Sequence, residues 1–344
     1  MQYTRLGNTG LTVSRLSFGV MTFGQGQGTM ASVSKTDEKT ASDMIHRAMD
    51  AGINFFDSAD AYAGGQSEAI LGRALGARRR DVLISTKIGF RTGEAITQAG
   101  ASYGYVIAAA EACLRRLGTD YLDLLSIHKP DPFTPVEETI RALDNLVERG
   151  LVRYVGYSNF SAWQAAKCVG IQRCQGYAPF TAAQMYYSLV GRDIEHEIVP
   201  FLTDAGIGLV VWSPLAGGFL SGKYTRENPA GGGGRIAGFD FLPTDRERGY
   251  ALIALMQRIA KQHGASVAQV ALAWLLAKPH VSTVLVGASK MAQLDDNLGA
   301  GELRLGSDEL AQLDGATAPA PLYPQWFQEK TLDAKLQEAL GGRR

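Results

Sequence analysis

Four side chains in this sequence are of types that move protons around a carbonyl group: Asp57, Tyr62, Lys87 and His128. Each closes or follows a short apolar run. Ile53-Asn54-Phe55-Phe56 stops at Asp57, with Tyr62 a short loop later; Val82-Leu83-Ile84-Ser85-Thr86 stops at Lys87; Leu122–Ile127 stops at His128. A charge at the tip of a buried strand is costly unless paired, and lysine is rarely buried without a partner. Singly, each has an ordinary reading: a capping aspartate, a packed surface tyrosine, a satisfied core histidine. Their recurrence in order on successive strand ends favours one shared pocket. A phenol with a free pKa of ~10 exchanges protons poorly at neutral pH. An adjacent Lys87 ammonium would stabilise the phenolate, and Asp57 would pair with the lysine and fix it. His128 would orient a carbonyl oxygen while Tyr62 donates its proton to the developing alkoxide. A nucleophile for the carbonyl carbon is still missing, and hydride from a nicotinamide would supply it.

The elements that must position these groups alternate along the chain. Strand candidates are Leu16–Phe23, Ile53–Phe56, Val82–Thr86, Leu122–Ile127, Val152–Tyr157, Ala182–Tyr186, Gly208–Trp212 and Thr283–Val286. Between them lie helix candidates Thr36–Ala51, Ser67–Leu75, Tyr105–Leu117, Pro135–Arg149, Ala162–Val169 and Ile194–Ala205. The last strand is preceded by two helices, Arg246–His263 and Ser266–Ala277, and followed by Met291–Leu298. Thr134 is the expected N-cap and Pro135 the N1 residue of the fourth helix. Such alternation implies right-handed crossovers and a parallel sheet buried on both faces. Eight units favour a closed (β/α)8 TIM barrel over an open doubly wound sheet, which would want a glycine-rich phosphate turn after its first strand. Gly24-Gln25-Gly26-Gln27-Gly28 has the wrong spacing for that and reads as a flexible loop.

The expected layout is one domain over 1–344: an N-terminal β-hairpin (1–14) lying under the barrel, the barrel itself (about 15–300) and a C-terminal tail (301–344). In a barrel the working face is the C-terminal end of the strands. The residues predicted there are Asp57, Lys87, His128, Ser158-Asn159, Gln184, Trp212-Ser213 and Gly287-Ala288-Ser289.

Composition narrows the partners. The 34 basic and 34 acidic residues balance, which offers no electrostatic handle for nucleic acid or a membrane surface. No apolar run is long enough to span a bilayer, and Met1–Gly10 carries no apolar targeting core. Cys113, Cys168 and Cys174 have no metal-like spacing and are odd in number, which points to a reducing cytoplasm rather than a disulfide framework. Oligomeric state is not legible.

The motifs also resemble those of a family. L-G-N-T-G-L-T-V-S-R-L-S-F-G, N-F-F-D-S-A-D-A-Y, S-T-K, L-S-I-H-K-P-D-P, G-Y-S-N-F, W-S-P-L-A-G-G-F-L-S-G-K-Y and V-L-V-G-A-S-K-M-A-Q-L-D-D-N run in order between Arg5 and Asn297. The chain resembles the aldo-keto reductases, and among them the bacterial relatives of the potassium-channel β-subunits. That resemblance implies a TIM barrel with NADPH extended across its top and Asp57, Tyr62, Lys87 and His128 as a catalytic tetrad. It implies that Met21 and Asp57 border the cofactor and that Ser158, Asn159 and Gln184 hold the nicotinamide carboxamide. Trp212 would stack on the ring, and Ser213, Pro214, Leu215, Gly217 and Lys223 would follow the pyrophosphate. Gly287, Ser289, Lys290, Gln293, Asp296 and Asn297 would take the adenosine end.

Physical chemistry supports the last of these, since a helix N-terminus beside a cation is a good phosphate seat; this favours NADP. Gln293 stands where many family members place an arginine, whereas the channel-related branch also uses glutamine. Arg235 could supply a second cation or be a solvated loop residue. The loop Ala216–Leu242, with Gly231–Gly234, is expected to be a mobile clasp over the cofactor. Substrate choice is expected from loops Met21–Gln25, Phe90–Tyr103, Lys129–Phe133, Tyr186–Arg192 and Tyr323–Phe327, with the tail aromatics of Leu322–Phe327 packing on the barrel wall.

The expected activity is metal-free, NADPH-dependent reduction of small aldehydes and ketones to alcohols. A cofactor-sensing regulatory subunit with little turnover is the alternative; His128 argues against it, because the channel subunits replace this histidine. A Schiff-base aldolase using Lys87 fits less well, given the carboxylate and tyrosine ahead of the lysine.

Overall fold

Two strands, β1 (Tyr3–Arg5) and β2 (Thr12–Ser14), pair antiparallel as an N-terminal hairpin. Eight more follow: β3 (Leu16–Gly19), β4 (Phe55–Asp57), β5 (Leu83–Ile88), β6 (Leu122–Ile127), β7 (Val152–Ser158), β8 (Phe180–Tyr186), β9 (Gly208–Trp212) and β10 (Val281–Val286). They pair in chain order, all in parallel, and β10 closes onto β3 to complete a barrel. The computed structural model describes residues 1–229, 231 and 241–340.

Helices cover the outside: α1 (Glu38–Asp50), α2 (Gln66–Leu75), α3 (Tyr103–Leu117), α4 (Val136–Glu148), α5 (Ala162–Gln175), α6 (Ile198–Ala205), α7 (Arg246–His263), α8 (Val267–Leu276) and α9 (Met291–Gly299). Their starts are set by short polar caps. Asp37 accepts from Thr40 N at 3.0 Å, and Ser266 and Gln269 form a reciprocal capping box at the head of α8. Two helices, α7 and α8, precede the last strand, as the sequence implies.

Side-chain alternation divides the core in two. Phe55, Leu124, Ala182, Val210 and Leu285 point into the barrel, where Leu6 and Val13 of the hairpin join them from below. Residues of opposite parity, such as Phe56, Leu125, Val155, Leu209 and Val284, pack against the helices. Phe18 anchors this outer layer edge-on to Phe23 and Phe56, at 5.8 and 6.2 Å between centroids. Each such buried side chain stabilises the fold by about 1.5–3 kcal/mol.

Several boundaries differ from the sequence-based expectation. The first barrel strand ends at Gly19 rather than Phe23, because Gly24 N already bonds Thr36 O across the following loop. That glycine-rich loop holds a 3-10 turn, Gly28–Ser32. Pro135 is itself the N-cap of α4, and Thr134 instead donates its hydroxyl to Asp131 at 2.6 Å. The fifth helix continues from Val169 to Gln175, ending at Gly176 with φ 71°. Asp193–Glu195 forms a separate 3-10 turn ahead of α6. Beyond α9 the tail is helical, with α10 (Ser307–Thr317), α11 (Gln325–Lys330) and α12 (Ala334–Ala339). Its aromatics do not pack on the barrel wall. Trp326 meets Tyr323 at a tilt and Phe327 edge to face, and the three stay 39%, 74% and 49% exposed, while Gln325 Nε2 ties the segment to His196 O at 2.9 Å. Among the described residues no helix is long and apolar enough to cross a membrane.

Candidate active site

Backbone register places the reactive side chains before any of them interact. Asp57 and Gly19 pair at the top of β3 and β4, Asp57 faces Ser85, and Lys87 faces Ser126. Asp57 and Lys87 belong to the strands themselves, as their last and next-to-last residues, rather than to the loops beyond. Both share the parity of Phe55 and Leu83, so both point into the barrel above the apolar floor. Past β4 the chain keeps bonding to its neighbour: Ser58 N donates to Ser85 O and Asp60 N to Lys87 O, each at 2.9 Å. This holds the segment leading to Tyr62 in step with β5. Among the described residues, every non-glycine residue with positive φ lies within six residues after the C-terminal end of a barrel strand. Ala63 (48°) follows β4, Asn159 (61°) follows β7, and Ser213 (51°) and Ala216 (49°) follow β9. Such backbone strain tends to gather at functional faces.

The structure brings Asp57, Tyr62, Lys87 and His128 together. Lys87 Nζ donates to Asp57 Oδ2 at 2.6 Å and to the Ser58 carbonyl, with the two side chains 1% and 3% exposed. Asp57 Oδ1 accepts from Ser85 Oγ at 3.0 Å and from Gln184 Nε2 at 2.9 Å. Burial disfavours the ammonium, but Asp57 and Tyr62, each by charge and by hydrogen bond, outweigh it and raise the Lys87 pKa above its ordinary value. Nζ stands 4.9 Å from the centre of the Tyr62 ring. That ring meets His128 edge to face at 5.9 Å, and Phe90 meets His128 edge to face at 4.6 Å. Burial, then the charges of Lys87 and Lys129, push the His128 pKa well below 6.5, so the imidazole is neutral. Its Nδ1 is enclosed without a hydrogen-bond partner.

The predicted cofactor residues that the structure describes belong to the C-terminal ends of β3, β4, β7, β8, β9 and β10 or to the segments that follow them. Ser158 Oγ donates to Gln184 O at 2.7 Å and accepts from Asn159 Nδ2 at 2.9 Å. Asn159 Oδ1 accepts from Trp212 Nε1 at 3.1 Å, and Trp212 lies against Tyr186 at 5.2 Å and stacks with Phe241 at 6.1 Å. Ser213 Oγ accepts from Gly217 N at 2.9 Å within the turn containing Pro214 and Leu215. Met21 accepts at its carbonyl from Ser34 Oγ at 2.7 Å. At the head of α9, Lys290 is the N-cap, and Ser289 N and Oγ meet Gln293 Oε1 at 2.9 and 3.2 Å. An amide oxygen thus already sits where the helix N-terminus would receive an anionic oxygen. Asn297 Nδ2 donates to Gly287 O at 3.3 Å. Asp296 is engaged elsewhere, its carboxylate accepting from Ser266 Oγ at 2.9 Å and Gln269 Nε2 at 3.1 Å at the head of α8. Arg235 and Gly232–Gly234 of the expected clasp lie outside the described residues.

Two features escape the sequence reading. Lys35, beyond the glycine-rich loop, stands near enough that its charge, after burial, lowers the Lys223 pKa; nothing in its local pattern marks it. The second is a buried acidic cluster around Asp60. Asp60 is 3% exposed, with Oδ1 unpartnered and Oδ2 accepting from Tyr105 Oη at 3.4 Å. Burial and then the charge of Glu68 push its pKa up to about 7, against the pull of Arg116. Glu68, wholly buried, accepts from Thr86 Oγ1 at 2.5 Å and from Arg116 Nε at 2.6 Å. Asp60 falls in the same D-S-A-D-A-Y run as Asp57, which was the signal available.

Comparison with known proteins agrees with this fold. Residues 15–318 match the model of the Aldo/keto reductase family. A probable voltage-gated potassium channel subunit beta of Arabidopsis thaliana is 37% identical over 315 residues, covering 87% of this chain and 91% of that protein. Versiconal hemiacetal acetate reductase of Aspergillus parasiticus is 33% identical, covering 94% and 99%. The oxidoreductase YrpG of Bacillus subtilis is 35% identical, covering 91% and 95%. A parallel eight-stranded barrel with these matches along its length places the chain in the aldo/keto reductase family.

Proposed function

We propose that this protein is an NADPH-dependent reductase of aldehydes and ketones in which Tyr62 donates the proton. The observation that carries the reading is the sealed Lys87–Asp57 pair set against the Tyr62 ring at the barrel mouth. When bound, a reduced nicotinamide supplies hydride to the carbonyl carbon. The chain's own groups do the rest. Asp57 keeps Lys87 charged and aimed; the ammonium stabilises the phenolate that remains once the Tyr62 proton has passed to the alkoxide. Neutral His128 donates a hydrogen bond to the carbonyl oxygen and polarises it. This assigns an oxidoreductase acting on CH–OH donors, with the cytoplasm as its compartment.

The mouth fits a dinucleotide. Ser158, Asn159 and Gln184 offer amide and hydroxyl groups to a carboxamide, Trp212 offers an aromatic face, and Lys223 with Lys35 offers positive charge to a pyrophosphate. The head of α9, with Ser289 and Lys290, accepts an oxygen from Gln293 now and would accept a phosphate oxygen in its place.

The test is oxidation of NADPH with benzaldehyde, comparing wild type with Tyr62→Phe and running NADH alongside. Loss of most turnover with cofactor binding retained supports the reading; equal rates in both proteins overturn the role of Tyr62. The names of the plant relatives favour a second reading, a cofactor-binding subunit that acts through a partner. Tight NADPH binding with no turnover in wild type would select it.

A further inference from the structure

The roof of the pocket carries chemistry that the reduction itself does not use. Three rings lie in sequence there. Tyr62 meets His128 at 5.9 Å, His128 meets Phe90 at 4.6 Å, and both contacts are edge to face. Lys129, the residue after His128, places its Nζ 5.6 Å from the centre of the Phe90 ring. Phe90 is 38% exposed, a large apolar face left open to the solvent at a cleft mouth.

The charge of Lys129 is poorly neutralised. Among the described residues no carboxylate comes within ion-pair distance of it, and the carboxylate that feels it, Asp131, is already committed. Asp131 Oδ2 accepts from Ala101 N at 2.8 Å and Thr134 Oγ1 at 2.6 Å, and its Oδ1 accepts from Phe133 N at 3.0 Å. Arg91, beside Phe90, adds a second cation whose bonds, among the described residues, go to the carbonyls of Gly93 and Ala95. The mouth therefore offers an aromatic wall leading from the phenol to a positive rim.

Resting on the reductase reading above, we propose that the preferred substrates are aromatic aldehydes that carry a carboxylate on the side of the ring away from the aldehyde. With the carbonyl oxygen at Tyr62 and His128, the arene packs against Phe90 and the remote anion reaches Lys129. A bare aryl aldehyde would gain the wall but not the cation, and an aliphatic one neither. Edge and face contacts with Phe90 and His128 favour an arene over an alkyl group of equal size. An ion pair at a half-open rim contributes modestly and weakens with salt.

The experiment compares kcat/KM for 4-carboxybenzaldehyde, benzaldehyde and 4-methylbenzaldehyde in wild type, Lys129→Met and Lys129→Glu. Equilibrium binding of benzoate against benzyl alcohol, by titration calorimetry, gives a readout free of turnover. Wild type is expected to prefer the carboxylated aldehyde by roughly fivefold, the size of one half-exposed ion pair. Lys129→Met should erase that ratio and Lys129→Glu invert it, with raised salt drawing both charged ratios towards unity and leaving that of Lys129→Met unchanged. Benzoate should bind wild type more tightly than it binds either variant. Equal ratios in all three proteins, or equal benzoate affinity, overturn this inference and leave the reductase reading standing. Absence of turnover with every aldehyde sinks that reading instead, and benzoate affinity then decides the rim by itself.

Discussion

Lys87 and Asp57 meet at 2.6 Å on adjacent strands, and water reaches neither side chain. The pair is lopsided. Without the lysine, Asp57 would still accept from Ser85 and Gln184; without the aspartate, Lys87 would keep only the Ser58 carbonyl and Tyr62.

Breaking the pair from its acidic side should therefore cost more. Asp57→Asn strands a buried ammonium, and a penalty of about 3–5 kcal/mol is expected. Lys87→Met should cost less, and adding it to Asp57→Asn should recover part of the loss. Urea unfolding of the two single variants and the double variant measures this cycle. Strictly additive penalties would show that the pair is not coupled in the folded state.

The buried Asp60 carboxylate should make stability fall with rising pH. The Asp60 pKa is raised from 3.8 to about 7 in the folded chain. Below the lower value both states hold the proton and this group subtracts nothing. Between the two values the unfolded chain gives up its proton while the folded one keeps it, so stability is lost at up to about 1.4 kcal/mol per pH unit. Above the higher value the loss is complete. Asp60→Asn mimics the protonated acid without titrating. Its urea midpoint, relative to wild type, should climb from pH 4 to pH 7; a constant difference would mean that Asp60 is ionised in the fold.

Why the sequence was readable at some positions and opaque at others follows from the same contacts. Strands announced themselves by apolar runs ending in a polar residue, because inward and outward faces are both buried in a closed parallel barrel. Asp57, Lys87 and His128 stood out since each interrupts such a run. Helix starts fall within two residues of the expected Thr36 and Ser266 where a cap bonds locally, as Asp37 and Ser266 do, and the cap is misread at Thr134, whose hydroxyl goes to Asp131 three residues back. Asp296 is expected from the resemblance at the adenosine end, yet tertiary packing gives its carboxylate to Ser266 and Gln269 at the head of another helix. Asp60, Glu68 and Arg116 gather only when α2 and α3 lie side by side, which no local spacing encodes.

Gln293 sets the strength of the NADPH preference in the proposed function. Its Oε1 fills the head of α9 by accepting from Ser289 N at 2.9 Å, and a glutamine adds no charge there. Gln293→Arg would supply a bidentate cation for a 2′-phosphate. NADPH should bind about tenfold more tightly, with NADH nearly unaffected, as read by fluorescence titration. An equal gain for both dinucleotides would place the adenosine phosphate elsewhere.

The hairpin below the barrel should matter for stability and not for chemistry. Gly7 has φ 57°, and a Cβ there would sit 2.6 Å from both Gly206 O and Gly208 N and 3.0 Å from Thr181 O. All three are backbone atoms of the barrel's lower rim, so the rim cannot yield as a side chain would. Gly7→Ala must lift the hairpin, breaking the Asn8 N to Gly206 O bond of 2.8 Å and withdrawing Leu6 from the inner floor. Gly264 is the matching control: its φ is 61°, but nothing lies within 4 Å of its added Cβ. Gly264→Ala pays only the left-handed backbone penalty of about 1 kcal/mol, whereas Gly7→Ala should lose roughly 2–4 kcal/mol by urea unfolding. Tyr62 and Lys87 lie at the opposite end of the barrel, so the surviving folded fraction of Gly7→Ala should keep its kcat/KM. A fall in kcat/KM at full folding would instead tie the floor of the barrel to the geometry of its mouth.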